Sequence, residues 1–206
     1  MKKAILLIQL IVIGTFYSYA QNTKFFPEIT LGNRAVSYQH FVDYNFSESW
    51  SINNVTLFDT EYNNEDNNIF FIRNMLSYSP NKSFKTNVAF GVKNPGSFIS
   101  VTTQYLLSFS NFKAAYAVGS TYQDGFTLEQ SLSLYYSKPI TESIEIFSSL
   151  FTVFNTNLKY LDRGIQQIRI GLKKEAFQLS MAFNFDQFKK AEKTLENYGI
   201  AFKYNF

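Results

Sequence analysis

The stretch Phe84-Lys85-Thr86-Asn87-Val88-Ala89-Phe90-Gly91-Val92-Lys93 decides the fold class. Phe84, Val88, Phe90 and Val92 recur at every second or fourth position, with Lys85, Asn87, Ala89, Gly91 and Lys93 between them. A helix repeats every 3.6 residues and a strand every two, so this spacing predicts a strand with two unlike faces. The same period returns along the chain. Phe112, Ala114, Tyr116 and Val118 alternate with Lys113, Ala115, Ala117 and Gly119. Phe177, Leu179, Met181, Phe183 and Phe185 alternate with Gln178, Ser180, Ala182, Asn184 and Asp186. β-branched and aromatic residues dominate one face, as strands prefer. The chain reads as all-β.

Eleven turn-rich breaks interrupt the alternation: 32–33, 47–49, 59–68, 79–83, 93–97, 110–111, 123–125, 138–143, 155–164, 173–175 and 186–196. Eleven breaks make twelve strands. Ten is the nearest alternative, if the weaker segments 24–31 and 35–46 do not span. Residues 1–20 carry a different pattern. Lys2 and Lys3 precede an apolar run, Ala4 to Ile13, broken only by Gln9, and Ser18-Tyr19-Ala20 fits a small-x-small cleavage site. This predicts a secretory signal peptide cut before Gln21. The apolar run of about ten residues is too short to span a bilayer as a helix, which takes about 20. The remaining 21–206 form one domain of 186 residues. Shared among twelve strands, that is about 15 residues for each strand with its connection, and a membrane strand takes about 9–11.

Composition narrows the function. The chain has 206 residues, of which 46% are hydrophobic, 18% aromatic and 17% charged, with no Cys and one His. Disulfide scaffolds, thiolate metal sites and Cys nucleophiles are excluded, and His-clustered metal sites nearly so. Losing Lys2 and Lys3 takes the formal net charge from +3 to +1, which offers nucleic acid no attraction. An exported chain without disulfides needs a large core, a closed hydrogen-bonded structure or a membrane. A barrel in lipid turns the Phe/Tyr face outward and the small and polar face inward, and it satisfies its backbone by closing on itself. Tyr44, Tyr78, Tyr122, Tyr136 and Tyr204, near strand ends, suit aromatic girdles at the membrane surface.

The C-terminal strand, Tyr198-x-Ile200-x-Phe202-x-Tyr204-x-Phe206, resembles the assembly signal of bacterial outer-membrane proteins, which ends in Phe after alternating apolar residues. The resemblance implies an outer-membrane β-barrel, recognised through those five residues by the barrel-assembly machinery. The Ala20-Gln21 junction and the Asn-, Lys- and Phe-rich composition are similar to exported proteins of Bacteroidota. With the C-terminus on the periplasmic side, the three longest breaks (59–68, 155–164 and 186–196) all fall on the outer side, as long outer loops do in such barrels.

Strand parity then assigns candidate lumen residues: Asp43, Arg73, Lys85, Lys113, Glu129, Glu145, Arg169, Lys173 and Lys203. A Lys or Arg facing lipid at mid-depth costs about 2–4 kcal/mol, so inward is the consistent placement. Six cations against three acids predict either a lumen filled by ion pairs or a polar path with a mild preference for anions. His40 has outward parity and reads as a girdle residue. A twelve-stranded outer-membrane phospholipase uses His, Ser and Asn on its outer wall, but its His-x-Ser element is missing: Phe41 and Val42 follow His40. The acids Asp59, Glu61, Glu65 and Asp66 lack EF-hand spacing and its Gly, and read as a solvated loop. Gln187 to Glu196 carries mixed charge and suggests a short helical turn.

The expectation is therefore a non-enzymatic integral outer-membrane barrel with a narrow polar lumen, a channel for small solutes. It needs no cofactor; its partners are the outer-membrane bilayer and the assembly machinery, with room for a protein at the outer loops. A non-conducting structural or docking barrel is the alternative, and a lipid-modifying barrel enzyme ranks third.

Overall fold

The structure, a computed structural model, describes residues 23–94, 96–157, 159–188 and 192–206. The expected signal peptide and its cleavage site lie outside the described residues. Twelve antiparallel strands follow one another: β1 (Thr23–Gly32), β2 (Ala35–Asn45), β3 (Trp50–Glu61), β4 (Ile69–Tyr78), β5 (Phe84–Lys93) and β6 (Gly96–Phe109). Then come β7 (Phe112–Tyr122), β8 (Phe126–Pro139), β9 (Ile144–Thr156), β10 (Leu161–Lys174), β11 (Phe177–Phe188) and β12 (Lys193–Tyr204). Each pairs with its neighbours in sequence, and β1 pairs with β12, so the sheet closes into a barrel with no free edge. The weak segments at 24–31 and 35–46 are full strands, which settles the count at twelve.

The outward face is the apolar one. On β5, Phe84, Val88, Phe90 and Val92 are exposed, while Asn87 and Ala89 behind them are buried. On β12, Tyr198, Ile200, Phe202 and Tyr204 are exposed over buried Asn197 and Ala201. A wide continuous apolar surface is costly in water and stable in lipid.

The turns are made by the residues that favour them. Asn81 Oδ1 accepts from the Ser83 and Phe84 amides, and Asn157 Oδ1 from those of Lys159 and Tyr160. Asp124 takes a positive φ of 55° ahead of Gly125 at 139° in the β7–β8 turn. Such side-chain-to-backbone bonds are why Asn, Asp and Ser mark turns. Thr23, Phe206 and five connections share one rim, which we call the terminal rim. Residues 33–34, 62–68 and 123–125, with Asn94, Asn157, Tyr160 and Glu192, lie at the opposite rim.

Two expectations need correction. The strands cut into the long connections expected at 59–68, 155–164 and 186–196: β3 runs to Glu61, β9 to Thr156 with β10 from Leu161, and β11 to Phe188 with β12 from Lys193. Their polar flanks continue the strands, because an inward position tolerates Asp59 or Asp186 as readily as a loop does. For the same reason Gln187, Phe188 and Lys193–Glu196 are strand; residues 189–191 of the expected helical turn lie outside the described residues. A 3-10 turn capped by Asn64 stands at Glu65–Asn67.

Candidate functional site

The inside of the barrel holds the charge. All nine parity-assigned residues face inward. Asp43 pairs in register with Asn53, Arg73 with Gly91, Lys85 with Gln104, Lys113 with Ser108, and Glu129 with Gly119. Arg169 sits opposite Ala182 and Ser149, Lys173 opposite Gln178 and Glu145, and Lys203 opposite Glu28. Lys24, Glu28, Asp59, Lys93, Arg163 and Asp186 share that face and escaped the parity reading. Lys24 and Glu28 were hidden because Phe25, Phe26 and Pro27 interrupt the alternation of β1. The other four sit at strand ends read as loop.

Several of these charges reach across the lumen rather than along the sheet. Arg169 Nη2 on β10 pairs with Glu28 Oε1 on β1 at 2.7 Å, both side chains buried. Beside them Gln167 Nε2 donates to Gln39 Oε1 of β2 at 3.0 Å. Arg73 of β4 reaches Glu129 of β8 at 3.3 Å, and Thr121 Oγ1 donates to the other oxygen of that carboxylate. At the opposite rim Arg163 pairs with Asp186 at 2.6 Å and donates to the Asn94 carbonyl at 3.3 Å, joining β10 to the β5–β6 turn. These bridges divide the interior, so the lumen is narrow.

What the bridges leave over is positive. Glu28, Asp59, Glu61, Glu129, Glu145 and Asp186 each pair with an Arg or Lys. Asp43 accepts from Asn53 Nδ2 at 2.6 Å and meets no cation. Among the described residues the inward lysines Lys24, Lys85, Lys93, Lys113, Lys203 and Lys193, the last opposite Phe188, form no ion pair. Six lysines therefore stand against one carboxylate. Lys203 Nζ rests over the Phe26 ring at 5.5 Å and Lys93 Nζ over Phe98 at 5.1 Å, cation–π contacts that leave both charges uncancelled.

Two interior cavities adjoin. The larger, of about 540 Å³, is bordered by Lys85, Lys203, Arg73, Asn87, Phe26 and Phe41 among others. The smaller, of about 240 Å³, is bordered by Arg169, Gln178 and Tyr135; Glu28, Gln39, Phe151 and Lys203 border both. The interior is not uniformly small and polar, as the alternation suggested. Phe26, Phe41, Val55, Met75, Phe151 and Val153 also face inward, and Phe26 stacks on Phe41 with ring centroids 6.1 Å apart. Inward positions only need to fit the lumen, so period 2 constrains them less than it constrains the outer face.

Three further residues or groups resolve on the outer wall and rim. His40 is outward, opposite Thr56, but it lies mid-strand rather than at a girdle. Parity fixes a face and not a depth. Its Nδ1 meets Tyr38 Oη at 3.1 Å and its Nε2 meets Asn54 Oδ1 at 3.1 Å, while Asn54 Nδ2 donates to Asn74 Oδ1 at 3.0 Å. The acids at 59 and 61 are taken by Arg34, at 2.7 and 2.8 Å, and so face a guanidinium rather than open solvent. Tyr44, Tyr78, Tyr136 and Tyr204 gather at the terminal rim with Trp50, whose ring lies 4.8 Å from Tyr78; Tyr122 lies at the opposite rim.

No protein-family model and no curated protein matches the chain. Among solved structures it is similar to the KdgM porin, with a TM-score of 0.56 at 8% identity over 89% of this chain and 99% of that one. A KdgM porin in complex with disordered oligogalacturonate gives 0.53 at 8% identity, covering 89% and 99%. The NanC porin gives 0.51 at 6% identity, covering 88% and 98%. At such identities the likeness is one of fold: a porin-like outer-membrane β-barrel.

Proposed function

We propose that the chain is an integral outer-membrane protein whose barrel is a narrow channel for small solutes, with a preference for anions. The terminal rim then faces the periplasm. The observation that carries this reading is the charge left inside once the ion pairs of the described residues are counted: six lysines against Asp43. A low-dielectric wall focuses such a charge along the lumen, raising the local concentration of anions and excluding cations. The outward coat of Phe, Tyr, Ile and Val supports a lipid environment, and backbone closure removes the unsatisfied groups that lipid would penalise. Fold likeness to porins, one of them solved with an acidic oligosaccharide, is compatible with the reading.

The cross-lumen bridges favour a second reading, a non-conducting barrel filled by its own side chains. Current through single proteins in a planar bilayer separates the two. Discrete small openings are expected for the channel; persistent zero current assigns the barrel to the non-conducting class.

A further inference from the structure

We infer that the larger cavity is a binding site for a small carboxylate carrying an apolar body, such as an aromatic acid. The inference deepens the channel reading and rests on it for the route by which the solute arrives.

Hydrocarbon exposed in a lumen gains nothing from water or polar solutes and is covered favourably only by an apolar group. Here hydrocarbon is placed in the cavity from both sides. Phe26 and Phe41, register partners on β1 and β2, present a stacked pair of rings. Met75 follows from β4, and Phe151 faces them from β9. Phe151 decides the matter. Its register partners Gln167 and Ser133 are inward residues, so its ring points into the barrel, yet 40% of its surface is uncovered. Ring surface left open inside a cavity is surface that a ligand's ring can cover, in the offset or edge-on contacts aromatics prefer.

The charge at the same place sets the other end of the ligand. Lys203 Nζ stands over the Phe26 ring without an ion pair, and Lys85, also unpaired, borders the same cavity. An ammonium set against an apolar wall recognises an anion whose body is apolar. A polyhydroxylated acid fits less well, since its hydroxyls would lie against Phe and Met and lose their hydrogen bonds. A volume of about 540 Å³ is within the range of small-molecule sites.

The test uses the whole barrel in lipid nanodiscs. Saturation-transfer NMR compares benzoate, gluconate and acetate, with empty nanodiscs subtracted, while chloride current is recorded separately in planar bilayers. Benzoate is expected to bind at least about tenfold more tightly than gluconate or acetate. Phe151→Ser should abolish that preference, and Lys203→Gln should weaken benzoate binding with the aromatic wall intact. Equal signals for benzoate and gluconate, or a benzoate signal unchanged by both substitutions, overturn the inference. Chloride current without benzoate binding removes this site and leaves the channel standing. Benzoate binding without current keeps the site and removes the channel.

Discussion

Arg169 donates from Nε at 3.0 Å and from Nη2 at 2.7 Å to one oxygen of Glu28, and from Nη1 to Asn184 at 2.7 Å. Both side chains of the pair are 7% exposed, so neither ion has water to fall back on. Removing one partner of a buried pair is more damaging than losing the attraction, because the other charge stays buried alone. Arg169→Met is therefore expected to cost about 3–5 kcal/mol. The readout is the temperature at which the folded band converts to the unfolded band on a gel. Arg169→Met combined with Glu28→Gln should recover most of that loss. A single variant as stable as the double would remove the explanation. The Arg73–Glu129 bridge, longer at 3.3 Å, is better read in current: Glu129→Gln frees Arg73 and should increase anion selectivity. At this scale the sequence disclosed the inward charges wherever alternation was clean, as at Lys85 and Lys203. It could not disclose that Glu28 meets Arg169, since which lumen residues touch depends on the curvature of the whole wall.

Closure of the barrel depends on the β1–β12 seam, whose paired register runs only from Glu28–Lys203 to Gly32–Gly199. Pro27, which has no amide hydrogen to donate, sits where that ladder stops, and the Phe206 amide continues it by donating to Phe25 at 3.0 Å. Gly199 lets the two strands come together: a Cβ there would lie 2.0 Å from the Leu31 carbonyl oxygen and 2.6 Å from Gly32 Cα. These are backbone atoms and cannot rotate aside. Gly199→Val should therefore prevent closure, seen as loss of the faster-migrating folded band in unboiled samples. A variant that still folds with wild-type yield would show that the seam tolerates displacement. Strand number and the approximate places of the breaks between strands were legible in the sequence, because Asn, Asp, Ser and Gly punctuate an alternating pattern. Loop length was not, since a polar inward residue at a strand end and a polar loop residue look alike. Tyr198–Tyr204 lies in the last strand. That the segment ending at Phe206 is an assembly signal, read by an assembly machinery, is a proposal to be tested by truncating it.

The molecule as a whole inverts the usual soluble arrangement, with Phe, Tyr, Ile and Val outside and much of the charge inside. Aromatic composition and the absence of Cys pointed to that inversion, since strand-to-strand closure replaces both a conventional core and covalent cross-links. What composition could not convey is the balance inside, where, among the described residues, ion pairs cancel all but one inward acid and leave six lysines. That uncancelled charge is read most directly from the reversal potential of the reconstituted protein under a KCl gradient. The expected reversal potential lies on the chloride side of zero and moves toward the potassium side when Lys85 and Lys203 are both changed to Glu. A wild-type reversal potential at zero or on the potassium side would contradict it.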